Sequence, residues 1–124
     1  MQAGTSVLLV EDEALIALSL SDMLAELGFQ VCGPADTAQR AVELALSQRP
    51  RLVLMDIRLK GKPDGIDAAR EIRAQLPVPI IFVTGSCERE MLLRMEAVAA
   101  AGVLIKPILF DELKAAIGKA LEPG

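Results

Sequence analysis

The sequence has no histidine, tryptophan or tyrosine, and only two cysteines and three phenylalanines. Without histidine, Ser-His-Asp and Cys-His catalysis, histidine-ligated zinc and a histidine phosphocarrier role are excluded. Cys32 and Cys87 cannot close a structural zinc site within one chain, and they imply no disulfide framework. A reducing compartment is the simplest reading. Phe29, Phe82 and Phe110 are too few to build a stacking platform for single-stranded bases. No apolar run is long enough to cross a bilayer. Met1 to Ser6 lacks the basic-then-apolar order of a signal peptide. A cytoplasmic chain without membrane insertion is therefore expected. The formal net charge of -4 gives no general attraction to nucleic acid. Chemistry is left to carboxylates, hydroxyls, lysine, arginine and the backbone.

The remaining composition is that of a packed domain. The chain has 124 residues and is 52% hydrophobic, ample for a core in one domain spanning residues 1–124. Short apolar runs alternate with amphipathic stretches. Ser6 to Val10 ends at Glu11-Asp12-Glu13, and Leu52 to Met55 ends at Asp56. Val78 to Val83 ends at Thr84-Gly85-Ser86, and Gly102 to Ile105 ends at Lys106-Pro107. A weaker run covers Phe29 to Gly33. Runs of this length fit strands buried on both faces of a parallel sheet. Between them, Ile16, Leu20, Met23, Leu24 and Leu27 share one helical face, with Gly28 as the stop. Asp36 and Gln39 have capping-box spacing before a second helix. A third helix is expected over Gly65 to Leu76, stopped by Pro77. A fourth covers Glu88 to Ala100, and a fifth is striped by Phe110, Leu113, Ala116, Ile117, Ala120 and Leu121. Five β-α units with right-handed crossovers give an α/β, doubly wound, five-stranded parallel sheet.

That architecture places the site. Ligands of open parallel sheets bind beyond the C-terminal ends of the strands. The residues there are Glu11, Asp12, Asp56, Thr84 and Lys106. Carboxylates converging at one edge repel each other unless a cation joins them. All-oxygen ligation suits a hard ion such as Mg²⁺. Asp56, alone at the end of the middle run, suits a nucleophile toward a phosphoryl group, and the adjacent Glu11 and Asp12 suit the metal. Lys106 and Thr84 supply positive charge and a hydroxyl for the transferred oxygens.

From about Ser6 to Leu121 the chain resembles the receiver domains of two-component response regulators. The resemblance is carried by Val10-Glu11-Asp12-Glu13, Met55-Asp56-Ile57-Arg58-Leu59, Asp64-Gly65, Val83-Thr84-Gly85 and Lys106-Pro107, all in order at element ends. It implies the flavodoxin-like strand order 2-1-3-4-5. It also implies a phosphorylation-dependent switch in which Asp56 takes a phosphoryl group from a sensor histidine kinase or a histidine phosphotransfer protein. Mg²⁺ would be held by Glu11, Asp12, Asp56 and the backbone carbonyl of Arg58. Thr84 and Lys106 would each meet a phosphoryl oxygen, and the Lys106-Pro107 bond would be cis. Arg58 and Ser86 flank the site in the sequence and are expected to tune phosphoryl lifetime. Such a domain is a signalling switch rather than a turnover enzyme.

One departure stands out. Many receivers carry an aromatic residue three positions before the lysine, where this chain has Val103. Output is then expected to depend on the loop after Thr84 and on the fourth helix. That helix spreads Met91, Leu92, Leu93, Met95, Ala97, Val98 and Ala99 beyond one face. It is either packed unusually deeply or, with the fifth strand and fifth helix, an interface for a second copy or a target protein. Cys32 fits a small core residue, and Cys87 an ordinary thiol or a redox sensor. A flavin or nucleotide module would need a glycine-rich loop where Glu11-Asp12-Glu13 stands. An aspartyl-phosphate phosphatase would need an acid soon after Asp56, where Ile57 and Arg58 stand. A receiver-like docking module that works without phosphorylation is the remaining alternative.

Overall fold

Each apolar run forms a strand and each amphipathic stretch a helix in the computed structural model, which describes residues 5–86 and 88–122. Cys87, one of the two thiols considered above, lies outside the described residues. The elements are β1 (Ser6–Val10), α1 (Ala14–Glu26), β2 (Gln30–Ala35), α2 (Ala38–Gln48), β3 (Leu52–Asp56), α3 (Gly65–Arg73), β4 (Ile80–Thr84), α4 (Arg89–Ala97), β5 (Gly102–Ile105) and α5 (Phe110–Ala120). The strands form one parallel sheet in the order β2-β1-β3-β4-β5. This is the expected doubly wound α/β topology. No helix among the described residues is long and apolar enough to cross a membrane.

Strand alternation divides the core between the two faces. Leu8, Val10, Val53, Met55 and Phe82 face one side, where Ala41 and Ala45 of α2 and Ile66, Ala69 and Ile72 of α3 cover them. Val7, Leu9, Leu54, Ile81 and Val83 face the other, under Leu20 and Leu24 of α1 and Leu113 and Ile117 of α5. β3 and β4 are buried along their whole length, as strands covered on both faces must be.

Several boundaries differ from the expected ones. α2 is capped by Thr37, whose hydroxyl accepts from Arg40 N at 3.1 Å, and not by Asp36. Asp36 instead pairs with Lys60 at 3.7 Å. β2 starts at Gln30 and runs past Gly33 to Ala35, with a register shift against β1 between Leu8 and Val10. Gly33 takes φ +95 there, where a Cβ would lie 2.7 Å from the Leu9 carbonyl oxygen. α3 ends at Arg73, three residues before the expected Leu76, in a tightened turn in which Gln75 N donates to Ile72 O. β4 opens at Ile80, because Pro77 and Pro79 bring no N–H to the ladder. α4 ends at Ala97, not Ala100. Ala99 takes φ 53, its N–H donates to Glu96 O at 2.9 Å, and Ala100 N donates to Met95 O at 3.2 Å. This is a Schellman stop without its usual glycine.

α4 is also not the deeply packed helix allowed for above. Met95 is its one buried residue, and Leu92 and Leu93 are 40% and 56% exposed. Its polar anchor is Arg94. The guanidinium donates from Nη1 to Asp64 Oδ2 at 2.8 Å, and from Nη2 to Asp64 Oδ1 at 3.0 Å and Asp67 Oδ1 at 3.1 Å. Asp64 is the N-cap of α3. It accepts from Asp67 N at 2.9 Å, while Asp67 accepts from Asp64 N at 3.0 Å, a reciprocal capping box.

Two consequences can be measured. A Cβ on Gly65 would overlap the Asp56 carbonyl oxygen and crowd the Ile57 Cα, both fixed backbone atoms. Gly65→Ala is expected to lower stability by about 1–3 kcal/mol, read as a lower urea midpoint with an unchanged slope. Burial would raise the Asp64 pKa, but Arg94 and the Asp67 amide outweigh it and hold the carboxyl below its ordinary value of 3.8. The folded value is the lower one, so this stabilisation is full above 3.8 and is lost as pH falls through the folded pKa. Arg94→Gln should therefore flatten the fall of stability in that acid range. Thermal midpoints across the acid limb, followed by far-ultraviolet circular dichroism, check this.

Candidate functional site

Because the strands are parallel, their C-terminal ends all open on one edge, and the backbone ladder continues just past them. Glu11 N donates to Ala35 O at 2.8 Å, Ile57 N to Val83 O at 3.3 Å, and Lys106 N to Thr84 O at 2.8 Å. These bonds fix where the side chains of Glu11, Asp56, Thr84 and Lys106 leave the sheet. Among the described residues, the buried polar or charged ones are Glu11, Asp56 and Thr84, and all three lie at this edge.

One ammonium serves two buried carboxylates. Lys106 Nζ lies 3.1 Å from Glu11 Oε1 and 3.2 Å from Asp56 Oδ2. Asp56 Oδ1 accepts from Arg58 N at 3.3 Å, and Glu11 Oε2 accepts from Glu13 N at 3.1 Å. Glu11 Oε1 is within ion-pair distance of Lys106 but outside good hydrogen-bond geometry, so this buried oxygen is left incompletely satisfied. Asp12 joins the group from a half-buried position. One carboxylate oxygen from each of Glu11, Asp12 and Asp56 lies within 4.8 Å of the others.

The electrostatics follow from this crowding. Burial, reinforced by the Asp56 carboxylate, pushes the Glu11 pKa up to about 7, against the opposing pull of the Glu13 amide and Lys106. Burial alone would lower the Lys106 pKa, but Asp56 and Glu11 reverse this and raise it. A single ammonium facing three acids leaves a deficit of positive charge. An incompletely satisfied buried carboxylate oxygen and an all-oxygen donor set fit a hard divalent cation.

The structure brings together Glu11, Asp12, Asp56 and Lys106. It places Arg58 and Ser86 with Asp12, Asp56 and Lys106 on the walls of one open cleft. Thr84 ends β4 at the same edge, but its hydroxyl is engaged locally. Oγ1 donates to Ser86 O at 2.7 Å and accepts from Ser86 N at 3.3 Å. The Lys106–Pro107 bond is cis, as expected, and so are Gly33–Pro34 and Lys62–Pro63. Val103 is half-buried and packs against the core on the α2–α3 face. Sequence reasoning did not single out Arg94. Asp64 and Asp67 have cap spacing, but nothing in the sequence ties them to a residue thirty positions away.

A doubly wound parallel sheet with an acidic cluster and a lysine at the C-terminal edge defines a class of signalling domains, and the comparisons agree. The family model of the response regulator receiver domain matches residues 7–118. The transcriptional regulatory protein PdtaR of Mycobacterium tuberculosis is 41% identical over 115 residues, covering 93% of this chain and 56% of that protein. The phyllosphere-induced regulator PhyR of Methylorubrum extorquens is 38% identical over 119 residues, covering 95% of this chain and 44% of that protein. The crystal structure of the signal receiver domain of a modulated diguanylate cyclase from Desulfovibrio desulfuricans superposes with a TM-score of 0.88. It is 39% identical, over 94% of this chain and 92% of that one. This chain belongs to the response regulator receiver family of two-component signal transduction. It spans about half the length of these two curated relatives. Receiver domains bind Mg²⁺ through acidic residues, and Glu11, Asp12 and Asp56 form such a cluster here.

Lys106→Met leaves Glu11 and Asp56 buried without their cation. Stability at neutral pH is expected to fall by roughly 3 kcal/mol, with partial recovery in millimolar Mg²⁺. Urea unfolding followed by circular dichroism, with Mg²⁺ and with a chelator, measures both.

Proposed function

We propose that this chain is a phosphorylation-controlled switch of the cytoplasm, a single receiver domain over residues 1–124, in which Asp56 is the phosphoacceptor. The observation that carries this reading is the Asp56 carboxylate. It is buried at the end of the central strand, paired with Lys106 at 3.2 Å and grouped with two further acids beside an open cleft. The donor is a phosphohistidine on a sensor histidine kinase or a histidine phosphotransfer protein. An Asp56 oxygen attacks phosphorus, the phosphorus–nitrogen bond breaks, and its electron pair returns to the imidazole nitrogen.

Glu11, Asp12, Asp56 and the Arg58 carbonyl would hold Mg²⁺, which supplies positive charge against the acceptor and phosphoryl oxygens. Lys106 is already against Asp56 and needs little movement to meet a phosphoryl oxygen. Thr84 has to give up the Ser86 carbonyl to donate to another, so its contact with a phosphoryl oxygen and its present contact with Ser86 O exclude one another. Arg58 and Ser86 line the approach and tune how long the acyl phosphate survives water. Output passes through α4, β5 and α5, where Leu92, Leu93 and Ile105 are exposed, to a target protein or a second copy.

Incubation with acetyl phosphate should add the mass of one phosphoryl group in Mg²⁺ and none in a chelator. Asp56→Asn should abolish the gain. If neither acetyl phosphate nor a phosphohistidine donor phosphorylates the wild-type chain, a docking module independent of phosphorylation takes the place of this reading.

A further inference from the structure

The loop that follows Asp56 has little slack. Gly65 N donates to Ile57 O at 2.7 Å, closing residues 57–65 into a loop. Gly65 sits so tightly on the Asp56 carbonyl that no Cβ fits between them. Arg58, whose amide donates to Asp56 Oδ1, lies inside this loop. The loop ends at Asp64, and Asp64 and Asp67 are locked by their capping box. Arg94 grips both of these acids.

Arg94 also belongs to the segment that leaves β4 at Thr84. Asp56 and Thr84 end neighbouring strands, with Asp56 paired to Val83 in the ladder. A closed ring results. It runs from Asp56 through the 57–63 loop to Asp64, across the guanidinium to Arg94, and back along the chain to Thr84. The apolar attachment of α4 is thin, and the fork ties it to the end of the loop that follows Asp56. Val103 on β5 has no ring whose rotation could couple the two. A lone exposed ion pair would transmit little. A forked guanidinium on two carboxylates already fixed by backbone bonds is different, because its partners are preset.

We infer that Arg94 is a positioning residue that couples α4 to the Asp56 loop through its fork on Asp64 and Asp67. Its role in signalling rests on Asp56 being the phosphoacceptor. When the Asp56 loop rearranges around a phosphoryl group, the capping box moves with it and carries α4 through the guanidinium. By reciprocity, whatever binds α4 changes the energetics at Asp56 by the same coupling.

Hydrogen–deuterium exchange tests this on the wild type, Arg94→Gln and Arg94→Lys, in Mg²⁺, before and after acetyl phosphate. Phosphoryl occupancy is read by intact mass. Without donor, Arg94→Gln is expected to speed exchange roughly tenfold in both 57–67 and 89–97, leaving α5 unchanged. Arg94→Lys, which keeps the charge and loses the fork, should fall between. With donor, the wild type should shift its exchange in 89–97, and Arg94→Gln should lose that shift while still gaining the phosphoryl group. The inference is overturned if Arg94→Gln loosens 89–97 alone or neither segment. It is equally overturned if the phosphorylated wild type leaves 89–97 unaltered, or if the mutant keeps the full shift. A wild type that takes no phosphoryl group from acetyl phosphate or from a phosphohistidine donor refutes the phosphoacceptor reading instead, and the donor-free comparison of the two segments still decides the coupling.

Discussion

Two buried carboxylates sharing one ammonium set the terms for the rest of this fold. Glu11 and Asp56 are both taken out of water, and Lys106 reaches both from the far side of the edge. Burying acids this way is costly unless counter-charge arrives with them, and removing one partner of such a group strands the other. The fold supplies the charge by geometry. β1, β3 and β5 are parallel, so residues distant in sequence are delivered to one plane, and backbone bonds at Glu11, Ile57 and Lys106 hold them in step. The arrangement stops short of neutrality. Glu11 Oε1 is left incompletely satisfied, and its carboxyl is pushed up to about 7 chiefly by burial. A site left short of positive charge in this way has capacity for a cation and, through it, for the phosphoryl chemistry proposed for Asp56.

The molecule is unevenly held together, and the unevenness lies beside the site. β1, β3 and β4 are locked between two apolar layers. α4 contributes one buried residue of its own and leaves Leu92 and Leu93 in solvent. Elements that move are drawn from the less stable parts of a fold. The thinness of the α4 contact and the engagement of Thr84 with Ser86 belong to the same segment of chain. A change at Asp56 therefore meets a rigid sheet on one side and a loosely attached helix on the other. Val103 leaves that helix without an aromatic neighbour on β5, which gives the Arg94 fork more to do.

The sheet and its site edge were legible because parallel strands buried on both faces must be written as unbroken apolar runs. Four of the five runs here stop at a polar residue that cannot be buried for free. That is why Glu11, Asp56, Thr84 and Lys106 could be grouped before any coordinates. Helix limits were less legible, since they turn on competition between neighbours. Asp36 and Thr37 both can cap α2, and a salt bridge to Lys60 accompanies the choice of Thr37. α4 stops at a left-handed alanine, a position that sequence reading expects glycine to mark. The depth of α4 was equally out of reach, because its apolar residues say that a surface is available and not whether anything covers it.

By itself the sequence determined the class of fold, the order of its elements and the chemical types at the strand ends, since these depend on local hydrophobic pattern and on which side chains are present. Only the tertiary structure decided how those groups share charge. The incompletely satisfied oxygen of Glu11, the hydroxyl of Thr84 turned to Ser86 and the fork of Arg94 on Asp64 and Asp67 all depend on distances between residues or on side-chain torsions. Electrostatics falls off with distance and depends on burial. A linear pattern carries neither, so the residues could be named from the chain while their coupling waited on the packing that brings them together.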